Sequence, residues 1–207
     1  MNFDEQAQVW DKDPKKIERV KVVAKEIINF IQPYQKLSAF EFGCGTGLLS
    51  FELKDSFNRI TLADNSEEMI KVLKEKIKAA GIKNFDPLII DLNEEDITIS
   101  MQDVVYTLMA LHYMPDIDKT LKAFNSTIKQ NGYLCIADLV KEDGSYHAHE
   151  NDFNAQNGFD RKELTEILLI NNLKVVFYNV CYVIEIEVNN EAKKYPLFLM
   201  IGKKSSN

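Results

Sequence analysis

The sequence predicts an α/β fold, a doubly wound, mostly parallel sheet with helices on both faces. Three observations predict it. Short apolar runs that end in an acidic residue alternate with helix-patterned segments over roughly 140 residues, the signature of a sheet built from crossover units. One of these runs, Phe40-Glu41-Phe42, passes straight into Gly43-Cys44-Gly45-Thr46-Gly47 and then into a helical pattern opened by Leu48. Two longer strand-like stretches, Lys174 to Glu187 and Tyr195 to Gly202, close the chain, with Asn189-Asn190 between them as a hairpin turn.

At the start of the chain, Phe3, Ala7 and Trp10 recur at intervals of three and four and predict a short helix with an aromatic face. A second helix follows. Asp13 caps it, Pro14 takes its first position, and Ile17, Val20, Ala24, Ile27, Ile28 and Ile31 form its apolar stripe. After the glycine turn, Arg59 to Asp64 is the second strand, and Ser66 caps a helix whose face is Met69, Ile70, Leu73 and Ile77, closed by Gly81. Phe85 to Ile90 gives a third strand ending at Asp91-Leu92, and Asp103 to Met109 a fourth. Tyr133 to Asp138 is the fifth, entered from an Asn131-Gly132 turn. Asp160 then caps a helix that turns Leu164, Ile167, Leu168 and Asn171 toward the sheet.

Glycine tolerates positive φ and, lacking Cβ, lets another molecule approach the backbone, so three glycines within five residues mark a place where the main chain meets a ligand. A ligand on this turn is expected to face free backbone N–H groups at the start of a helix, in the crevice at the carboxyl end of a parallel strand. Asp64 lies 23 residues after Glu41. That is close to the roughly 20-residue offset that places an acid on ribose hydroxyls, which makes Asp64 the ribose candidate.

Composition sets limits. A chain of 207 residues is expected to be one domain with a sizeable core. Its net charge of −7, with acids spread along the chain, disfavours a nucleic acid partner. The lysines 71, 74, 76 and 78 are mixed with Glu67, Glu68 and Glu75 and read as a solvated helix face. The three cysteines are widely spaced and odd in number, so no disulfide framework is implied: Cys135 and Cys181 read as buried small hydrophobes and Cys44 as a turn filler. The first residues carry no signal-peptide pattern and no apolar run is long enough to span a bilayer, so the expectation is a soluble, cytoplasmic protein without membrane contact.

Glycine spacing narrows the ligand. Dinucleotide sites use Gly-x-Gly-x-x-Gly; here the glycines alternate, and position 48 is leucine. Glu41-x-Gly43-x-Gly45-x-Gly47 resembles the first motif of the class I S-adenosylmethionine-dependent methyltransferases, and the resemblance covers about residues 37 to 202. It implies a Rossmann-like sheet of seven strands, the last antiparallel and inserted between strands five and six. The terminal hairpin fits that arrangement.

The implied cofactor is S-adenosyl-L-methionine, cupped by Glu41, Gly43, Cys44, Gly45 and Gly47 and flanked by Asp64, Asn65 and Met69. Asp91 is implied at the adenine amino group, Leu92 against the ring, and Thr107 and Leu108 at the tip of strand four. Small members of the family commonly carry a leading segment that closes over the site. The resemblance therefore divides the single domain 1–207 into a helical lid over residues 1–33 and a core over 37–202, with Trp10 closing the cofactor site or packing as core.

All three histidines, His112, His147 and His149, fall after the carboxyl ends of strands four and five, the ligand-binding edge of an open α/β sheet. An imidazole titrates near neutrality. His112 is therefore the first candidate for a general base and His149 the second, each with the alternative of a polar pocket wall. A His-x-His pair also suits a metal, but no third ligand stands at a diagnostic spacing, so no metal is expected.

The expected acceptor is a small molecule, because the Pro-Pro-Tyr turn of amino-directed nucleic acid methyltransferases and the paired-glutamate loop of arginine methyltransferases are both missing, and Asp138-Leu139-Val140 is a poor match to a catechol-type metal site. Tyr113, Met114, Tyr146 and Phe153 are candidates to wall its pocket. Two other readings compete. A non-catalytic S-adenosylmethionine-binding sensor or regulatory subunit keeps the nucleoside turn, and a nicotinamide-dependent reductase would need the missing glycine spacing and a Tyr-x-x-x-Lys pair.

Overall fold

The capping residues act where the sequence places them. Asp13 accepts from the Lys15 N–H and starts helix α2 (Pro14–Ile31), after a short helix α1 (Phe3–Gln6) and a 3-10 turn (Ala7–Lys12). The computed structural model describes residues 2–34, 36–91, 98–148, 150, 153, 155–188 and 191–205. Strand β1 (Ser38–Phe42) leads through the glycine turn into helix α3 (Leu48–Leu53), and β2 (Arg59–Asp64) into α4 (Glu67–Ala80), capped by Ser66 and ended by Gly81 at φ 66°. Then come β3 (Phe85–Ile89), β4 (Gln102–Leu108), α5 (Ile117–Thr127), β5 (Ile128–Leu139), α6 (Arg161–Ile170), β6 (Leu173–Val188) and β7 (Glu191–Lys204).

The strands form one sheet in the order β3-β2-β1-β4-β5-β7-β6. The first five pair in parallel, and β7 runs antiparallel to both neighbours, β5 and β6. Strand order reverses between β1 and β4, which opens a crevice at their carboxyl ends. Alternate residues of the central strands feed two cores. Ala39 and Tyr106 pack with Val23, Ile27, Leu53 and Leu73 on one face; Phe40 and Val105 pack with Leu121, Phe124 and Leu168 on the other. Each such side chain, fully buried, contributes on the order of 1.5–3 kcal/mol. Among the described residues no helix is long and apolar enough to cross a membrane.

Three expectations change. Strand β5 begins at Ile128, five residues before the expected start: Gln102 pairs with Ile128 and Val104 with Tyr133, so 129–132 form a bulge rather than a turn, with Asn131 at φ 64°. The hairpin strands are longer than read, because pairing runs from Leu173 with Lys204 to Val188 with Glu191; residues 189 and 190 lie outside the described set. Cys181 is half-buried, while Cys135 and Cys44 are buried.

Candidate active site

The three glycines of the turn serve different ends. All have positive φ, 66° at Gly43, 53° at Gly45 and 81° at Gly47. A Cβ on Gly43 would collide with Ala110 Cβ, and one on Gly47 would lie 2.6 Å from Leu73 Cδ1, so both are packing glycines. Gly45 differs. A Cβ there would meet nothing nearer than Trp10 Nε1 at 3.8 Å and Met69 Sδ at 3.9 Å. Its open side faces a cavity of about 620 Å³ at the crevice between β1 and β4.

Three N–H groups of the turn are already taken within the chain, before the start of helix α3. Cys44 N–H donates to Ala63 O (3.0 Å), Gly45 N–H to Asp64 Oδ2 (2.7 Å) and Gly47 N–H to Cys44 O (2.8 Å). Asp64 also accepts from Ser66 N–H at 3.0 Å, and burial raises its carboxyl above the usual range against these hydrogen bonds. It shapes the turn and faces the cavity at once. Asp64→Ala should weaken binding of S-adenosylmethionine at least about tenfold in calorimetry, since charge-assisted bonds are the strong ones; unchanged affinity would remove Asp64 from the site.

Glu41 is buried and accepts from Ser50 Oγ, which in turn lies 2.6 Å from the Tyr106 hydroxyl. Burial pushes the Glu41 carboxyl up to about 8, against the opposing Ser50 hydrogen bond. The folded chain thus holds a proton that the unfolded chain releases near pH 4.5. Stability from this group is full below that pH, falls by about 1.4 kcal/mol per pH unit as pH rises, and is lost above about 8. Urea melts of Glu41→Gln should lack this decline; an identical pH slope in both proteins would place the proton elsewhere.

Of the other expected cofactor residues, Cys44, Asn65, Met69, Asp91 and Leu108 line the cavity, and so does Trp10. Trp10 stands on the wall, edge-on to Phe3 at 6.0 Å, with Lys16 Nζ 3.2 Å above its ring. The segment that carries it is latched down: Asp4 accepts from Ser66 Oγ at 2.5 Å, and Asp11 accepts from Thr46 Oγ1 and from Lys76 Nζ. Thr107 is buried in β4 behind the wall, and its neighbours Leu108 and Met109 face the cavity instead, Met109 at φ 55°. Leu92 and His149 lie outside the described residues.

His112 is fully buried at the cavity wall. Its Nδ1 lies 2.6 Å from Asp138 Oδ1, and Asp138 also accepts from the Leu139 N–H (2.7 Å) and the His112 N–H (3.2 Å). A carboxylate surrounded by donors fixes the tautomer with the proton on Nδ1, leaving the Nε2 lone pair free. That Nε2 is buried and has no hydrogen-bond partner among the described residues.

His147 repeats the pattern with Glu150 Oε1 at 2.6 Å, and its ring stacks on Phe153 at 3.8 Å and sits 5.0 Å from the His112 ring. Burial holds His147 below the usual imidazole range. Phe153 therefore backs His147 instead of walling the cavity, whereas Tyr113, Met114 and Tyr146 do line it. Among the described residues no three His, Cys, Asp or Glu side chains converge to hold a metal ion.

The sequence reading missed Asp138 as the partner of His112, and Lys16, Arg19, Tyr182 and Ile184 as wall residues. Only Asp138 left a signal, as an acid at the tip of a strand whose neighbour strand is followed by a histidine.

A seven-stranded sheet in this order, with its crevice bounded by a glycine turn and strand-tip acids, defines the class I methyltransferase fold. The family model described as a methyltransferase domain matches residues 40–134, a little under half of the chain. The chain is similar to an uncharacterized methyltransferase of Schizosaccharomyces pombe, 30% identical in an alignment that covers 55% of this chain and 42% of the relative. It is also similar to a sterol 4-C-methyltransferase of Caenorhabditis elegans, 25% identical over 60% of this chain and 37% of the relative. The chain thus spans less than half the length of these curated relatives. Its fold matches the crystal structure of an S-adenosylmethionine-dependent methyltransferase from Clostridium acetobutylicum with a TM-score of 0.73 at 15% identity, over 99% of both chains.

Proposed function

We propose that this chain transfers the methyl group of S-adenosylmethionine to a small-molecule acceptor, with His112 as the base. The observation that carries the reading is the buried, unpartnered Nε2 of His112, oriented by Asp138, on the wall of the cavity that Gly45 opens. The residues present fit the cofactor: Gly45 leaves room beside the backbone, Asp64 and Asp91 stand at strand tips, and Glu41 lies at the turn where a cation would hold it ionised. When bound, S-adenosylmethionine supplies an electrophilic methyl group on a sulfonium. The chain's own contribution would be His112 Nε2, which takes the proton that the acceptor gives up, with Asp138 holding the ring in place.

Positioning contributes most of the rate, on the order of 7–11 kcal/mol in favourable cases. The segment over residues 1–33, with Phe3 and Trp10 on the cavity wall, acts as the lid that excludes water. The test is label transfer from methyl-labelled S-adenosylmethionine into a pool of small metabolites. Tight binding of the donor with no label in any acceptor would return the reading to a binding protein.

A further inference from the structure

Lys16 and Arg19 sit one turn apart on α2 and both line the cavity, although the chain as a whole carries a charge of −7. Arg19 Nε is buried and has no hydrogen-bond partner among the described residues. Arg19, Tyr146 and His112 line the same cavity, where burial raises the Tyr146 hydroxyl and the nearby Arg19 charge opposes that rise. Lys16 lies over Trp10, and burial holds its ammonium below the usual lysine range, ahead of the opposing pull of Asp13. A partly desolvated cation with an unused donor is a site waiting for an anion.

Two of the acids on the same wall are otherwise engaged: Asp13 accepts from the Lys15 N–H at 2.9 Å, and Glu185 pairs with Lys194 at 3.1 Å, while Glu187 also lines the cavity. A wall that already carries acids suits one negative charge better than two, and the planar guanidinium fork matches a carboxylate. The bodies of Trp10, Tyr113 and Tyr146 line the space between the cations and His112.

We infer that the acceptor is a small carboxylic acid with an apolar or aromatic body, its carboxylate held by Arg19 and Lys16 and its hydroxyl or amine presented to His112. This rests on the methyl-transfer reading above. Trp10 is the only tryptophan, so its fluorescence reports binding directly.

Phenylacetate, phenylacetamide and phenyl phosphate are titrated into the full chain with S-adenosylhomocysteine present. Phenylacetate should bind at least tenfold tighter than the amide, and Arg19→Gln should abolish that preference with an unchanged melting temperature, while Arg19→Lys keeps part of it. Equal binding of acid and amide, or a preference for phenyl phosphate of tenfold or more over the acid, would overturn the inference. Calorimetry with S-adenosylmethionine alone separates the two claims: a chain that binds phenylacetate but no methyl donor loses the methyl-transfer reading and keeps the acid site.

Discussion

His112→Ala leaves the methyl donor bound at its original affinity and lowers turnover by about 10²- to 10⁴-fold, the usual contribution of a positioned base. The expectation follows from geometry. The ring is fixed by Asp138 at 2.6 Å, its Nε2 has no partner among the described residues, and the residue lines the same cavity as the glycine turn that follows the neighbouring strand. Truncation leaves a space that imidazole can enter, so added imidazole should restore part of the lost rate. Asp138→Asn should show the same split to a smaller degree, because the amide keeps the contact but not the charge that stabilises an imidazolium. Weakened donor binding with normal turnover in His112→Ala would make the histidine part of the cofactor wall.

Gly45→Val should abolish donor binding, at least a hundredfold in calorimetry. Its side chain would project into the one part of the turn that is open, toward Trp10 Nε1 and Met69 Sδ. The φ of 53° adds backbone strain of about 1–3 kcal/mol for a branched residue, which the thermal midpoint reads separately. Gly43→Ala is the contrasting variant. Its Cβ meets Ala110 in the packed floor, so its loss appears as instability of the fold. If Gly45→Val binds the donor normally, the cavity beside the turn is not where the nucleoside lies.

Much of the architecture was legible because its signals are local. Asp13, Ser66 and Asp160 cap helices by reaching N–H groups two or three residues away, and Gly81 ends α4 in a conformation that glycine adopts without cost. Strand β2 ran from Arg59 to Asp64 as read, since apolar alternation bounded by a charged residue and a cap leaves little choice. The bulge in β5 was not legible: Asn131-Gly132 has the chemistry of a turn, and only pairing with β4 draws it into a strand.

By itself, the sequence determined the order of strands and helices, the positive-φ turn at residues 43 to 47, and the acids at strand tips, because propensity, capping and periodicity act within a few residues. The tertiary structure alone decided that Asp138 would hold His112 across 26 residues, that Asp64 would occupy the Gly45 N–H, and that Arg19 would line the same cavity as Tyr146. Those contacts join segments distant along the chain, and the direction of a side chain at such a junction is set by what packs behind it.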